Sequence, residues 1–192
     1  MTATLILASA SPRRSELLNQ LGLAHTIHIA DVDETPLANE KPADYVLRVA
    51  HQKSLAVQQQ CVQDSVILAA DTAVVLGDTL MGKPDNLAHA QSMLSRLSGT
   101  THQVYSAVSL RGRTIQQALS VSNVTFRTLS EQEIIDYWHT GEPADKAGAY
   151  AVQGLASIFI QSIQGSFSGI MGLPLFETAQ ILSNEGIKVF NE

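Results

Sequence analysis

Apolar residues in the first part of the chain fall into short unbroken runs separated by helical stripes. Residues 5–8 (LILA) form a continuous apolar run that predicts a buried strand. Ser11 and Pro12 then supply an N-cap and a first helical residue, and Leu17, Leu18 and Leu21 make a stripe that closes at Gly22. A second strand is expected over residues 25–29, followed by the polar loop DVDETPLANEKP, which concentrates four acids and two prolines. Helical periodicity runs over residues 43–60. Residues 66–70 read as a second buried strand, expected to end at Asp71.

Farther along, residues 74–76 and 79–81 flank Gly77-Asp78 as a small hairpin. A helix is expected over residues 86–97, where Leu87, Ala90, Leu94 and Leu97 recur at spacings of three, four and three. Residues 104–110 and 115–128 alternate around an Arg-Gly-Arg turn, which predicts a long antiparallel hairpin. Ser130 caps the next helix, with Glu133 at the capping-box position. Residues 141–154 form a loop of functional length, followed by a strand near 155–163 and a last helix opening at Pro174. Parallel-type strands early and antiparallel ones late indicate an α/β fold with a mixed twisted sheet flanked by helices, in two lobes around a cleft. Residues 1–192 are expected to form one domain, without repeats or a linker.

With 192 residues, 45% hydrophobic and 16% charged, the chain has enough apolar material for one core and is not of a disordered type. Twelve basic against 18 acidic residues give a net charge of −6, a poor balance for a nucleic-acid partner. Anion chemistry then needs a local cluster of cations. The single cysteine, Cys61, reads as a small packed residue and points to a reducing, cytoplasmic compartment. The first apolar run is followed, not preceded, by its arginines, unlike a secretory signal. No stretch reaches the roughly 18 consecutive apolar residues of a membrane span, so no membrane partner is expected.

Four places carry candidate chemistry. Arg13 and Arg14 occupy a first helical turn, where the helix dipole prefers acids; they are either solvated surface residues or, with Ser9 and the helix N–H groups, a phosphate site. Asp71, alone between two apolar segments, is either a hydrogen-bonded turn residue or a base or metal ligand, since an isolated buried charge is costly. Lys53 falls on the apolar side of its helix, seven after Val46 and four after Val49; its head either snorkels to the core edge or meets phosphate in a cleft. Asp31, Asp33 and Glu34 are either solvated or oxygen ligands of the kind Mg²⁺ takes. The run Gly77 to Lys83 has the glycine and lysine spacing of a P-loop, but Pro84 replaces the required Ser/Thr and the run reads as a hairpin, so that assignment is rejected. Lys83 still suits a cleft. The histidines show no zinc spacing, and Gly165-Ser-Phe-Ser-Gly169 puts Phe167 where a nucleophile elbow needs serine.

Taken in order, SASPRR at 9–14, DETP at 33–36, Lys53 on its helix, AADT at 69–72, GKP at 82–84 and LSGTTHQVYSAV at 97–108 resemble the Maf family. The motifs span the chain. The resemblance implies a nucleoside triphosphate pyrophosphatase with a fold similar to the inosine triphosphate pyrophosphatases, cutting between the α and β phosphates with a divalent cation, Mg²⁺ or Mn²⁺. The segment DKAGAYAVQG at 145–154 looks like the branch acting on dTTP and UTP.

Carried over residue by residue, the resemblance makes Asp71 the proton acceptor and Arg13, Thr72 and Gln153 the specificity positions. Ser9, Arg14, Glu34, Lys53 and Lys83 fall on the remaining polar positions of the pocket. Arg13, Arg14, Lys53 and Lys83 would hold the triphosphate, and Asp71, Glu34 or both would hold the metal. The Gln153 amide, both donor and acceptor, matches the O4 and N3–H edge shared by thymine and uracil. The resemblance also implies a homodimer. Rival readings are a pyrophosphatase for 7-methyl-GTP or another modified nucleotide, and a non-catalytic nucleotide-binding regulator of septum formation and cell-division arrest.

Overall fold

The central element is β3 (Ser65–Leu76), which places successive side chains on opposite faces of the sheet. The computed structural model describes residues 4–61 and 65–190. Before β3 come β1 (Thr4–Leu7), α1 (Pro12–Gln20), β2 (Thr26–Ile27) and α2 (Pro42–Gln58). After it come β4 (Thr79–Met81), α3 (Leu87–Leu97), β5 (Thr101–Arg111), β6 (Ile115–Phe126) and α4 (Glu131–His139). Three short 3-10 helices, Glu142–Asp145, Ala147–Ala149 and Leu155–Phe159, then lead to β7 (Ile160–Gln164), α5 (Phe167–Met171) and α6 (Leu175–Asn184).

The strands form one mixed sheet in the order β2-β1-β3-β5-β6-β7, with β4 added to β3. The pairs β1–β2 and β1–β3 are parallel and the others antiparallel, the mixture expected from the sequence. On one face of β3, Ile67 and Ala69 pack with Val57 of α2, and Ala73 with Val46 and Ala50. On the other face, Val66, Leu68 and Ala70 meet Leu17 and Leu18 of α1 and Leu182 of α6. Leu18, Leu68 and Leu182 are fully buried, each contributing about 2 kcal/mol of hydrophobic stabilisation. A separate core gathers Leu94 and Leu97 of α3, Ile134 and Tyr137 of α4, Phe126, Tyr150 and Phe159. Val74, Val104, Tyr150 and Val152 of this core form one side of a cleft, across from Ala8 and the turn that follows β1. No described helix is long and apolar enough to cross a membrane.

β3 also opens a gap in the sheet. Its β5 edge is paired from Ile67 to Val75 without interruption. On the opposite edge, β1 pairs with Ser65 to Leu68 and β4 with Val74 to Leu76. Neither reaches residues 69–73, and Asp71 stands at the middle of that interval.

Several sequence expectations are corrected. Asp71 does not end its strand: apolar residues resume at Ala73, β5 pairing continues past it, and a lysine partner makes the buried carboxylate tolerable. The second strand is only Thr26–Ile27, so His25 and His28 flank it. Residues 155–159 form a 3-10 helix, and the strand there begins at Ile160. The five-residue helix α5 was not expected. The last helix does open at Pro174, which is the N-cap of α6. The capping box of Ser130 and Glu133 is present as expected.

Candidate active site

Nine residues singled out from the sequence, Ser9, Arg13, Arg14, Glu34, Lys53, Asp71, Thr72, Lys83 and Gln153, line one cavity of about 350 Å³, whereas Asp31 and Asp33, the other candidate oxygen ligands, do not line it. That lies at the lower end of the roughly 300–1,000 Å³ usual for small-ligand sites. One wall comes from the β1–α1 turn, another from α2 and the gap in β3, and a third from Lys83 and residues 145–153.

Helix α1 begins with Pro12 at its first position and has no acid in its own first turn, so Arg13 and Arg14 sit where the helix dipole disfavours cations. Arg14 is anchored through Nε to the Gly172 carbonyl at 2.8 Å and through a terminal nitrogen to Ser9 Oγ at 3.1 Å. Burial pulls the Arg14 guanidinium below its ordinary pKa, against the neighbouring Asp71 carboxylate, which raises it. The backbone N–H of Ser11 also donates to Ser9 Oγ, at 3.1 Å. Both lone pairs of the Ser9 hydroxyl are thus engaged, which leaves its proton for an acceptor in the cleft. Phosphate oxygens are acceptors only.

Lys53 reaches the cleft from the apolar face of α2 and is 8% exposed. Its Nζ lies 2.7 Å from Glu34 Oε1 and 2.8 Å from Asp71 Oδ1. The ammonium group is therefore engaged by two carboxylates, with one of its three protons left over. Asp71 Oδ2 is buried and has no hydrogen-bond partner among the described residues. Burial pushes the Asp71 carboxyl above its ordinary pKa, against the pull of Lys53 and Arg14. An unpartnered carboxylate oxygen at this depth calls for a proton or a cation. The oxygens of Asp71 and Glu34 are hard ligands of the kind that Mg²⁺ and Mn²⁺ accept, so the residues present fit a divalent cation.

Gln153 is exposed at the mouth of the site, and the segment carrying it is braced from behind. The Tyr137 hydroxyl accepts from the Ala151 N–H at 3.2 Å and donates to Glu142 at 2.7 Å; Glu142 in turn accepts from the Leu155 N–H at 3.0 Å. The Tyr150 hydroxyl meets His102 Nε2 at 2.8 Å in the buried aromatic cluster with Phe126. Gly148, at φ 69°, packs so closely on Val74 that a Cβ there would lie 2.9 Å from Val74 Cγ1. Its N–H donates to the Gly82 carbonyl at 3.0 Å, tying this segment to the loop that presents Lys83.

Some lining groups escaped the sequence reading. Asp145 lies 3.7 Å from Arg13 and also pairs with Lys146, and both line the cavity. The signal available was the Asp-Lys pair opening the DKAGAYAVQG segment. The Gly172 carbonyl that fixes Arg14 has no side-chain signature at all.

A dTTP/UTP pyrophosphatase of Methylococcus capsulatus is 55% identical over 184 residues, covering 95% of this chain and 91% of that protein. One of Nitrosomonas europaea is 51% identical over 198 residues, covering 96% and 95%. Among solved structures, the Staphylococcus aureus Ham1 protein is similar at a TM-score of 0.46 and 14% identity, over 67% of this chain and 72% of that one. The family described as Maf-like protein matches residues 4–185, and the chain belongs to it.

Proposed function

We propose that the protein hydrolyses dTTP and UTP between the α and β phosphates, yielding the nucleoside monophosphate and pyrophosphate. The relatives named above support the substrate pair, and one observation supports the chemistry. A buried carboxylate with an unpartnered oxygen, Asp71, lines a nucleotide-sized cleft together with Arg13, Arg14 and Lys83.

In this reading Arg13, Arg14 and Lys83 bind the triphosphate, and Ser9 donates its free proton to a phosphate oxygen. Lys53 holds Asp71 and Glu34 in place. Asp71 takes a proton from the attacking water, a task helped by burial, since a carboxylate with a raised pKa is the stronger base. The bond to the bridging oxygen breaks, and the electron pair leaves with pyrophosphate, whose growing charge the cations stabilise. A divalent cation held by Asp71 and Glu34 would supply further charge neutralisation on the phosphates. Gln153 reads the base: its amide N–H groups donate to O4 and its carbonyl accepts from N3–H, an arrangement that cytosine reverses.

Product analysis tests the reading. With Mg²⁺ or Mn²⁺ present, dTTP should give dTMP and pyrophosphate in equal amounts. Release of orthophosphate without pyrophosphate would place the cut elsewhere and overturn it.

A further inference from the structure

Thr72 and Ser9 are both hydroxyls in the cleft wall, but their surroundings give them opposite polarity. Ser106, on β5 directly opposite Thr72 of β3, is 1% exposed. Its hydroxyl donates to the Gly169 carbonyl of α5 at 2.6 Å. A carbonyl only accepts, so the single Ser106 proton is committed there. Thr72 Oγ1 lies 2.9 Å from Ser106 Oγ, and with that proton taken the bond has one direction left: Thr72 donates and Ser106 accepts. Thr72 therefore shows the cleft only lone pairs. Such a group repels a phosphate oxygen and accepts from a ligand O–H or N–H.

Resting on the activity proposed above, we infer that Ser106 is a positioning residue that fixes Thr72 as an acceptor for the 3′-hydroxyl of the substrate sugar. Outside its phosphates dTTP has two donors, the base N3–H and the 3′-hydroxyl, and UTP shares both. Gln153 takes the N3–H, which leaves the 3′-hydroxyl for Thr72. Ser9, with both lone pairs filled and its proton free, serves the phosphates instead. The two hydroxyls thus present opposite polarity to the ligand.

The test compares dTTP with its 2′,3′-dideoxy analogue, by kcat/KM and by binding measured without added cation. Wild-type protein should prefer dTTP by about tenfold, the worth of one hydrogen bond. Thr72→Val and Ser106→Ala should bring the ratio close to one, and Ser106→Thr, which keeps the hydroxyl, should restore it. A merely structural role for Ser106 would lower both substrates alike and leave the ratio unchanged, overturning the inference. Equal use of both nucleotides by the wild-type protein overturns it too. So does an N3-methyl-dTTP penalty that disappears in Thr72→Val, since Thr72 would then read the base. Failure to release pyrophosphate from dTTP overturns the proposed activity instead, and the binding ratio still decides the role of Thr72.

Discussion

Lys53 Nζ stands 2.8 Å from Asp71 Oδ1, a buried ion pair that leaves the second oxygen of the carboxylate unpartnered. The pair fixes the orientation of Asp71 and restrains the rise in its pKa that burial causes. A carboxylate so placed is a proton acceptor held ready for use, and the first two predictions follow from it.

Replacing Asp71 by Asn keeps the shape of the side chain and removes its basicity. Turnover of dTTP should fall by at least about a thousandfold, in the range of a lost general base together with a lost ligand oxygen. Nucleotide binding should persist, because the cations that hold the triphosphate are untouched. Rapid kinetics paired with calorimetry separates the two effects, and a fully active variant removes Asp71 from the chemistry.

The acid limb of the pH–activity profile should lie above the ordinary aspartate value of 3.8, because burial raises the Asp71 pKa and only the ionised form accepts a proton. Lys53→Met removes the ammonium group that favours ionisation, so the limb should move to still higher pH. A limb that stays in place, or moves toward acid, contradicts the proposed role of the pair.

Gln153→Glu exchanges an amide for a carboxylate and loses the N–H that meets O4. Turnover of dTTP and UTP should drop by about tenfold or more in kcat/KM, from the lost bond and the new repulsion between acceptors. A nucleotide panel shows whether cytosine, whose exocyclic amine offers a donor at that edge, gains relative to the others. An unchanged preference for dTTP and UTP rules Gln153 out as the base reader.

His102 predicts how stability depends on pH. Burial lowers its pKa from 6.5 to about 4, so the folded protein holds it neutral where the unfolded chain binds a proton. Stability should therefore fall as pH drops from about 6.5 toward 4, by up to about 3 kcal/mol. His102→Asn should flatten that part of the curve in thermal melts.

The sequence made the site more legible than some of the fold. Lys53 was detectable because a charge on an otherwise apolar helical face breaks a regular pattern. Asp71 stands out for the same reason, but its charge reads as a strand end; the residue opposite it on β5, Ala107, lies 36 positions farther along the chain. Ser106 lies within the LSGTTHQVYSAV motif, but a small polar residue in a strand shows its role only when its hydrogen bond to Gly169 is seen. Helix α5 has five residues, too few to develop a periodicity. The 3-10 helix at Leu155–Phe159 mixes apolar and polar residues in a way that also suits a strand. In the segment at 145–154, the distant contacts of Gly148 with Val74 and Gly82 set the backbone path, and these are not written in local sequence.

The gap on the outer edge of β3 makes strand length a functional dimension. Asp71 is reachable because β1 stops at Leu7 and β4 begins its pairing only at Val74. Two more residues of regular pairing from either side would narrow that opening without altering a single site residue. The lengths of β1 and β4 thus work as an aperture, and changes in the β1–α1 turn or the β4 hairpin would tune access to the carboxylate as surely as changes to the residues around it.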